Sequence, residues 1–289
     1  MRTAGLAGLV VAVVAVAAVL SPWIAAALGP GFAFARVYDR VVEVCLAAGL
    51  ALAWRRLDLG DAAGLGLSPW RPAALGRGLG AGLVGLAVGL AACSLGGGLH
   101  PALRFAPAKV ARKALLGAAA AVGIGCAEEV LFRGILLRRL VADLGRGAGV
   151  LATTVVYAAV HAIRTGDAHL EAGPWAGLLR TAGLFSPLAR FATLPELAGL
   201  FGLGLLLAAV RLRTGTLWAA VGVHAAWVAG FRVGRLFFVL GPMPAWLVGS
   251  GWPPLIGGAG GWLALAVTGA LLLRRARRPS RPGDGLYHP

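Results

Sequence analysis

The residues of this chain best placed to do chemistry are ionisable side chains inside long apolar runs, where charge is costly and usually functional. The first group lies in Cys126-Ala127-Glu128-Glu129-Val130-Leu131-Phe132-Arg133. Glu129 and Arg133 are four residues apart, one helical turn, and can pair directly. Glu128 is turned about 100° away on the same helix and has no counter-charge there. A carboxylate so placed suits a general base acting on water. Two further apolar runs carry one imidazole each, in Tyr157-Ala158-Ala159-Val160-His161 and His224-Ala225-Ala226-Trp227-Val228. A lone histidine in an apolar helix is usually a hydrogen-bonded structural residue. Three runs that each offer an ionisable group change that reading, because such groups face the bundle interior and one another. Glu128, His161 and His224 are therefore expected to meet in one polar cavity between the fourth, fifth and seventh spans.

The elements that must position them are membrane helices. The 289 residues are 59% hydrophobic and 13% charged, with a mean hydropathy of +0.82; a soluble domain carries about 25% charged residues. The apolar residues form long runs, and about 20 helical residues cross a bilayer core about 30 Å thick. The runs predict an all-α polytopic transmembrane bundle of about eight spans, at about 4–28, 37–54, 75–97, 114–140, 147–163, 195–211, 215–240 and 254–273. A loop of about 30 residues, 164–193, follows the fifth, and its Asp167, His169 and Glu171 read as an interfacial connection. The expected organisation is a single transmembrane domain over 1–273 and a basic cytoplasmic tail over 274–289. The first run also resembles a signal peptide ending in Ala25-Ala26-Ala27, but its length favours a retained span. The 45 glycines suit close helix packing where no hydrophobic force acts between helices.

The net charge of +16 comes almost entirely from arginine at the ends of apolar runs, where it fixes orientation and meets anionic headgroups. That placement, with no aromatic-basic module, excludes nucleic acid as the partner and names the lipid bilayer instead. The tail Arg274-Arg275-Ala276-Arg277-Arg278 should be cytoplasmic, which with eight spans puts both termini inside. The basic stretch with Arg104, Lys109, Arg112 and Lys113 then falls outside and reads as an interfacial amphipathic segment. Arg232 and Arg235 read as snorkelling side chains, with contact to an acidic or C-terminal substrate group as the alternative. Cys45, Cys93 and Cys126 have no CxxC spacing and read as packing residues. Trp218, Trp246, Trp252 and Trp262 suit an interfacial aromatic belt.

The three motifs together resemble the CAAX-protease and bacteriocin-processing (CPBP, or Abi-like) family of intramembrane proteases, whose members show EExxxR, FxxxH and HxxxN on successive helices. Here Glu128, Glu129 and Arg133 complete the first motif. Tyr157 stands for Phe in the second, ahead of His161. His224 begins the third, but Val228 stands where the family has Asn or Asp. The resemblance implies a family-like core over about 112–240 and a place in a bacterial plasma membrane. The resemblance implies an endopeptidase that hydrolyses membrane-associated or prenylated (CAAX-type) peptides with a water activated by Glu128. His161 would help hold that water, His224 would stabilise the oxyanion, and Glu129 and Arg133 would brace the helix. Its partners would be hydrophobic or lipidated peptides or membrane proteins.

Two questions stay open on the sequence. The family is often labelled a metalloprotease, and Glu128, His161 and His224 could hold zinc with an open position; yet HExxH is absent, and a glutamate-activated water needs no ion. The alternative function is a catalytically weak or inactive member acting as a bacteriocin-immunity or adaptor protein, which Val228 favours. Other chemistries fit worse. Ser68 and Ser250 are not placed to act as nucleophiles in the bundle, Asp39 lacks a second aspartate within a span, and no internal repeat suggests a transporter.

Overall fold

The structure is a computed structural model that describes residues 2–29, 31–95, 99–162, 173–240, 244–249 and 255–274. Its helices run in the order α1 (Arg2–Leu28), α2 (Phe34–Ala53), a single turn α3 (Ala62–Leu65) and α4 (Pro72–Leu95). Next come α5 (Pro107–Glu129), a π-helical turn (Val130–Leu136), α6 (Leu137–Leu144) and α7 (Arg146–Ala162). The remainder are α8 (Ala176–Gly183), α9 (Leu194–Thr214), α10 (Trp218–Phe237), the short α11 (Ala245–Val248) and α12 (Ala259–Leu273). The chain is an all-α helix bundle. Among the described residues, four helical stretches are long and apolar enough to cross a membrane: Thr3–Leu28, Pro72–Leu95, Pro107–Leu144 and Phe191–Thr214.

Helix α10 is the centre of the bundle. Every residue from Ala219 to Trp227 is buried, the pattern of a helix surrounded by other helices. It packs against α4, α5 and α9, and α4 packs in turn against α12. Helix α7 lies on α6 and α9, while α1, α2 and α8 form a second layer. The main core joins Phe132, Tyr157, Leu207 and Trp227, and a separate cluster of Ala17, Phe34, Tyr38 and Ala176 binds the second layer.

Glycine sets the spacing. On α4, Gly78, Gly82, Gly85 and Gly89 form a stripe at helical period. A Cβ at Gly78 would strike the Ala219 carbonyl of α10, and one at Gly85 the Thr268 side chain of α12. Gly177 of α8 meets the Ala18 carbonyl of α1 in the same way. Backbones therefore touch where the apolar environment itself offers little reason for helices to associate.

Several expectations need correction. The seventh span, expected over 215–240, ends at Phe237, and Phe238–Leu240 is a strand (β2) paired antiparallel with β1 (Leu99–Pro101). The fourth span is longer than 114–140 because Lys109, Arg112 and Lys113 belong to the first turns of α5 and the π-helical turn joins α5 to α6. The last helix begins at Ala259, five residues later than expected. The 164–193 loop contains α8, which packs on α1 and buries Ala176, Gly177 and Arg180. Arg164, Asp167, His169, Glu171, Ser250, Trp252 and the tail beyond Arg274 lie outside the described residues. Cys45, Cys93 and Cys126 are free thiols.

The stripe makes a direct prediction. Gly78→Val forces side-chain atoms into the α10 backbone and should destabilise the bundle by about 1–3 kcal/mol, the usual cost of overpacking. Gly80→Ala places its Cβ where nothing lies within 4 Å and should be neutral or stabilising by about 0.5–1 kcal/mol. Thermal unfolding in detergent distinguishes the two variants.

Candidate active site

The pair Glu128 and Glu129 ends α5, directly before the π-helical turn. Insertions of this kind widen the helix and recur at functional sites. The two carboxylates point apart, as their angular separation requires. Glu129 is fully buried, while the Glu128 side chain is 30% exposed. Gly125, one turn earlier, lets α5 approach α10, because a Cβ there would lie 3.1 Å from the Ala225 amide nitrogen. That approach brings both carboxylates level with His224.

Glu129 is the hub beneath the site. Its Oε1 accepts from Arg133 Nη1 at 2.7 Å and from His224 Nδ1 at 2.8 Å. Arg133 is also buried, donates its other terminal nitrogen to the Gly204 carbonyl of α9 at 3.3 Å, and lies 4.3 Å over the Tyr157 ring. One carboxylate, one guanidinium and one imidazole thus tie α5, α9 and α10 together out of water. Burial of any of them alone would cost several kcal/mol.

The two imidazoles are oriented from behind. His161, in the last turn of α7, donates its Nδ1–H to the Tyr157 carbonyl at 2.8 Å. Tyr157 also stacks on it, with ring centroids 4.1 Å apart. A carbonyl and a carboxylate only accept, so Nδ1 carries a proton on both rings and Nε2 faces the opposite way. His161 Nε2 lies 3.0 Å and His224 Nε2 3.6 Å from Glu128 Oε2.

The convergence expected from the sequence is present: ligand atoms of Glu128, His161 and His224 all lie within 4.8 Å of one another. They open into a cavity of about 640 Å³ whose wall includes Leu131, Trp227, Val228 and Phe231. The sequence reading placed that cavity between the fourth, fifth and seventh spans. It is also walled by Arg40, Glu43 and Leu50 of α2 and by Leu200 and Leu203 of α9. Arg40 and Glu43 form an exposed ion pair, and charge within an otherwise apolar segment was the signal that could have marked α2. The role of Tyr157 as carbonyl, stacking partner and cation–π base had no signal beyond its spacing to His161.

Whether these residues suit a metal can be tested on the same geometry. Two Nε2 lone pairs and Glu128 Oε2, a buried oxygen without a hydrogen-bond partner, converge on one point. Three acceptors so close can be joined by a cation, a proton or a water. Each imidazole is backed through Nδ1 by a carboxylate or carbonyl, the arrangement that orients and strengthens histidine ligands. The donor set fits a zinc ion with an open position.

Residues 111–230 match the family model described as type II CAAX prenyl endopeptidase Rce1-like. No curated protein and no solved structure matches the chain.

The buried triad predicts a non-additive mutant cycle. Arg133→Leu strands the Glu129 carboxylate and should cost about 3–5 kcal/mol. Adding Glu129→Gln removes the stranded charge and should recover part of that loss. Thermal unfolding of the two single variants and the double variant measures the coupling.

Proposed function

We propose that the chain, whose residues 111–230 match the Rce1-like type II CAAX prenyl endopeptidase model, is an integral-membrane endopeptidase of the CPBP family whose base is Glu128. The observation that carries this reading is the meeting of Glu128, His161 and His224 at one apolar-walled cavity. We assign it hydrophobic, membrane-associated or prenylated peptides as substrates, because Leu131, Trp227 and Phe231 supply an apolar bed beside the polar cluster.

Glu128 takes a proton from a water held in the cavity against its carboxylate, beside His161 Nε2. The hydroxide attacks the scissile carbonyl, and a tetrahedral intermediate forms with negative charge on the former carbonyl oxygen. His224, when protonated, donates from Nε2 to that oxygen, while Glu129 holds the ring through Nδ1 and balances its charge. Glu128 then passes its proton to the departing amine, which breaks the peptide bond and restores the carboxylate. A zinc ion on Glu128, His161 and His224 would add Lewis-acid polarisation of the carbonyl and a more acidic water.

One observation favours a weaker catalyst. Val228 lies on the cavity wall four residues after His224, where the family carries a polar donor. An apolar side chain there gives the oxyanion no hydrogen bond, and one such donor is worth about 10²–10³ in rate. This is the basis of the alternative reading as a bacteriocin-immunity or adaptor protein.

The tests follow from these roles. In proteoliposomes with a panel of prenylated and unmodified membrane peptides, the wild type should cleave and Glu128→Gln should lose about 10²–10⁴ of kcat. Silence of both proteins supports the adaptor, and undiminished cleavage by Glu128→Gln removes Glu128 from the chemistry. Val228→Asn should raise kcat by about 10²-fold with little change in KM, measured on the same peptides.

A further inference from the structure

A second cleft, of about 370 Å³, opens beside the Glu128 cavity where the start of α5 meets the end of α10. Four cations line it, Arg104, Lys113, Arg232 and Arg235, together with the apolar side chains of Phe105 and Leu116, and no carboxylate. Among the described residues none of the four forms an ion pair with a carboxylate. The backbone builds the site. Ala102 N–H donates to the Phe237 carbonyl at 2.8 Å and Arg104 N–H to the Leu236 carbonyl at 3.4 Å, continuing the β1–β2 pairing and pinning Arg104 beside Arg235. The Lys109 and Lys113 ammonium groups lie 4.8 and 5.1 Å over the Phe105 ring.

Helix fields explain only part of this cluster. Arg235 sits in the last turn of α10, where a cation is favourable. Arg104 precedes the start of α5 and Lys113 lies in its second turn, the end where the helix already carries positive partial charge. Four like charges around one small cleft repel each other unless an anion joins them. Phosphate suits the donor set, since arginine forks match its oxygens and lysine binds it as a point charge.

We propose that this cleft binds the phosphate headgroup of an anionic lipid, with an acyl chain along the outer face of α5. Position and surroundings favour a lipid. The cleft lies at the start of α5, the end of a stretch long and apolar enough to cross a membrane, and at the end of α10, so a membrane-spanning α5 puts it at the level of the headgroups. Phe105 and Leu116 are 37% and 62% exposed, and Leu115 beside them is 72% exposed, so an apolar track leads away from the cations. Arg232 lines both this cleft and the Glu128 cavity. A bound headgroup therefore fixes one side chain at the mouth of the cavity and links lipid occupancy to entry. The assignment rests on the cleft alone and stands whether or not the chain is a peptidase.

Native mass spectrometry of the full chain in detergent, titrated with phosphatidylglycerol, tests it. Each removed cation should weaken binding about five-fold, so Lys113→Gln/Arg235→Gln should bind about 30-fold more weakly than wild type and Arg104→Gln alone about five-fold. The charge-matched control Arg36→Gln/Arg112→Gln, at exposed residues outside the cleft, should bind as wild type does. All these side chains are exposed, and an unchanged thermal midpoint verifies each fold. Equal binding by Lys113→Gln/Arg235→Gln and wild type overturns the site, and equal weakening in the control reduces it to general surface charge. Phosphatidylcholine binding as tightly removes the anion requirement. Displacement by equimolar inorganic phosphate removes the lipid. A cleft variant that keeps its lipid but loses discrimination between free and amidated peptide C-termini reassigns the cleft to a peptide carboxylate.

Discussion

A buried carboxylate that accepts from two cationic or polar donors underlies the architecture around the site. Glu129 is withdrawn from water and held by Arg133 and His224 at 2.7 and 2.8 Å. Without Arg133 its charge would be uncompensated in an apolar interior, and without Glu129 the guanidinium would be. The same oxygen fixes the proton of His224 on Nδ1, so its second nitrogen faces Glu128. The polarity of the cavity is thus settled one layer below the residues that line it. This is why the adjacent glutamates differ in setting: Glu129 is enclosed by its two partners, while Glu128 faces the cavity.

Such a network forms only if helix backbones come close. Gly125 brings α5 to α10, and Gly204 brings α9 to α7, where a Cβ would lie 3.0 Å from Thr154 and 3.1 Å from Tyr157. The α4 glycine stripe supports α10 from the opposite side. Dispersion between closely fitted surfaces and a few buried polar contacts supply the cohesion that the hydrophobic effect provides in water-soluble proteins. The aromatic cluster of Phe132, Tyr157 and His161 fills the remaining space, with Phe132 edge-on to Tyr157 at 5.1 Å.

Some of this was legible along the chain. The spacing of Glu129 to Arg133 is a local helical relation, and their ion pair follows from it. The different facing of Glu128 and Glu129 follows from the same period. Helix α8 was not legible, because eight residues whose buried positions are Ala176, Gly177 and Arg180 carry too little apolar periodicity to stand out from a connection. The π-helical turn at Val130–Leu136 was hidden too, since no residue type marks it and it depends on how α5 meets its neighbours. The β1–β2 pair joins segments more than 130 residues apart, and neither is long enough to read as a strand by itself.

By itself, the sequence determined that the chain is a helical membrane bundle, because hydropathy and residue period act locally and survive any arrangement of the helices. It also supplied the three ionisable groups and the turn that pairs Glu129 with Arg133. Tertiary structure alone decided that Glu129 also holds His224, that α2 and α9 complete the cavity wall, and that Arg104 meets Arg235 in one cleft. These are relations between distant segments, and their distances are set by glycine contacts and packing geometry that no single stretch of chain contains.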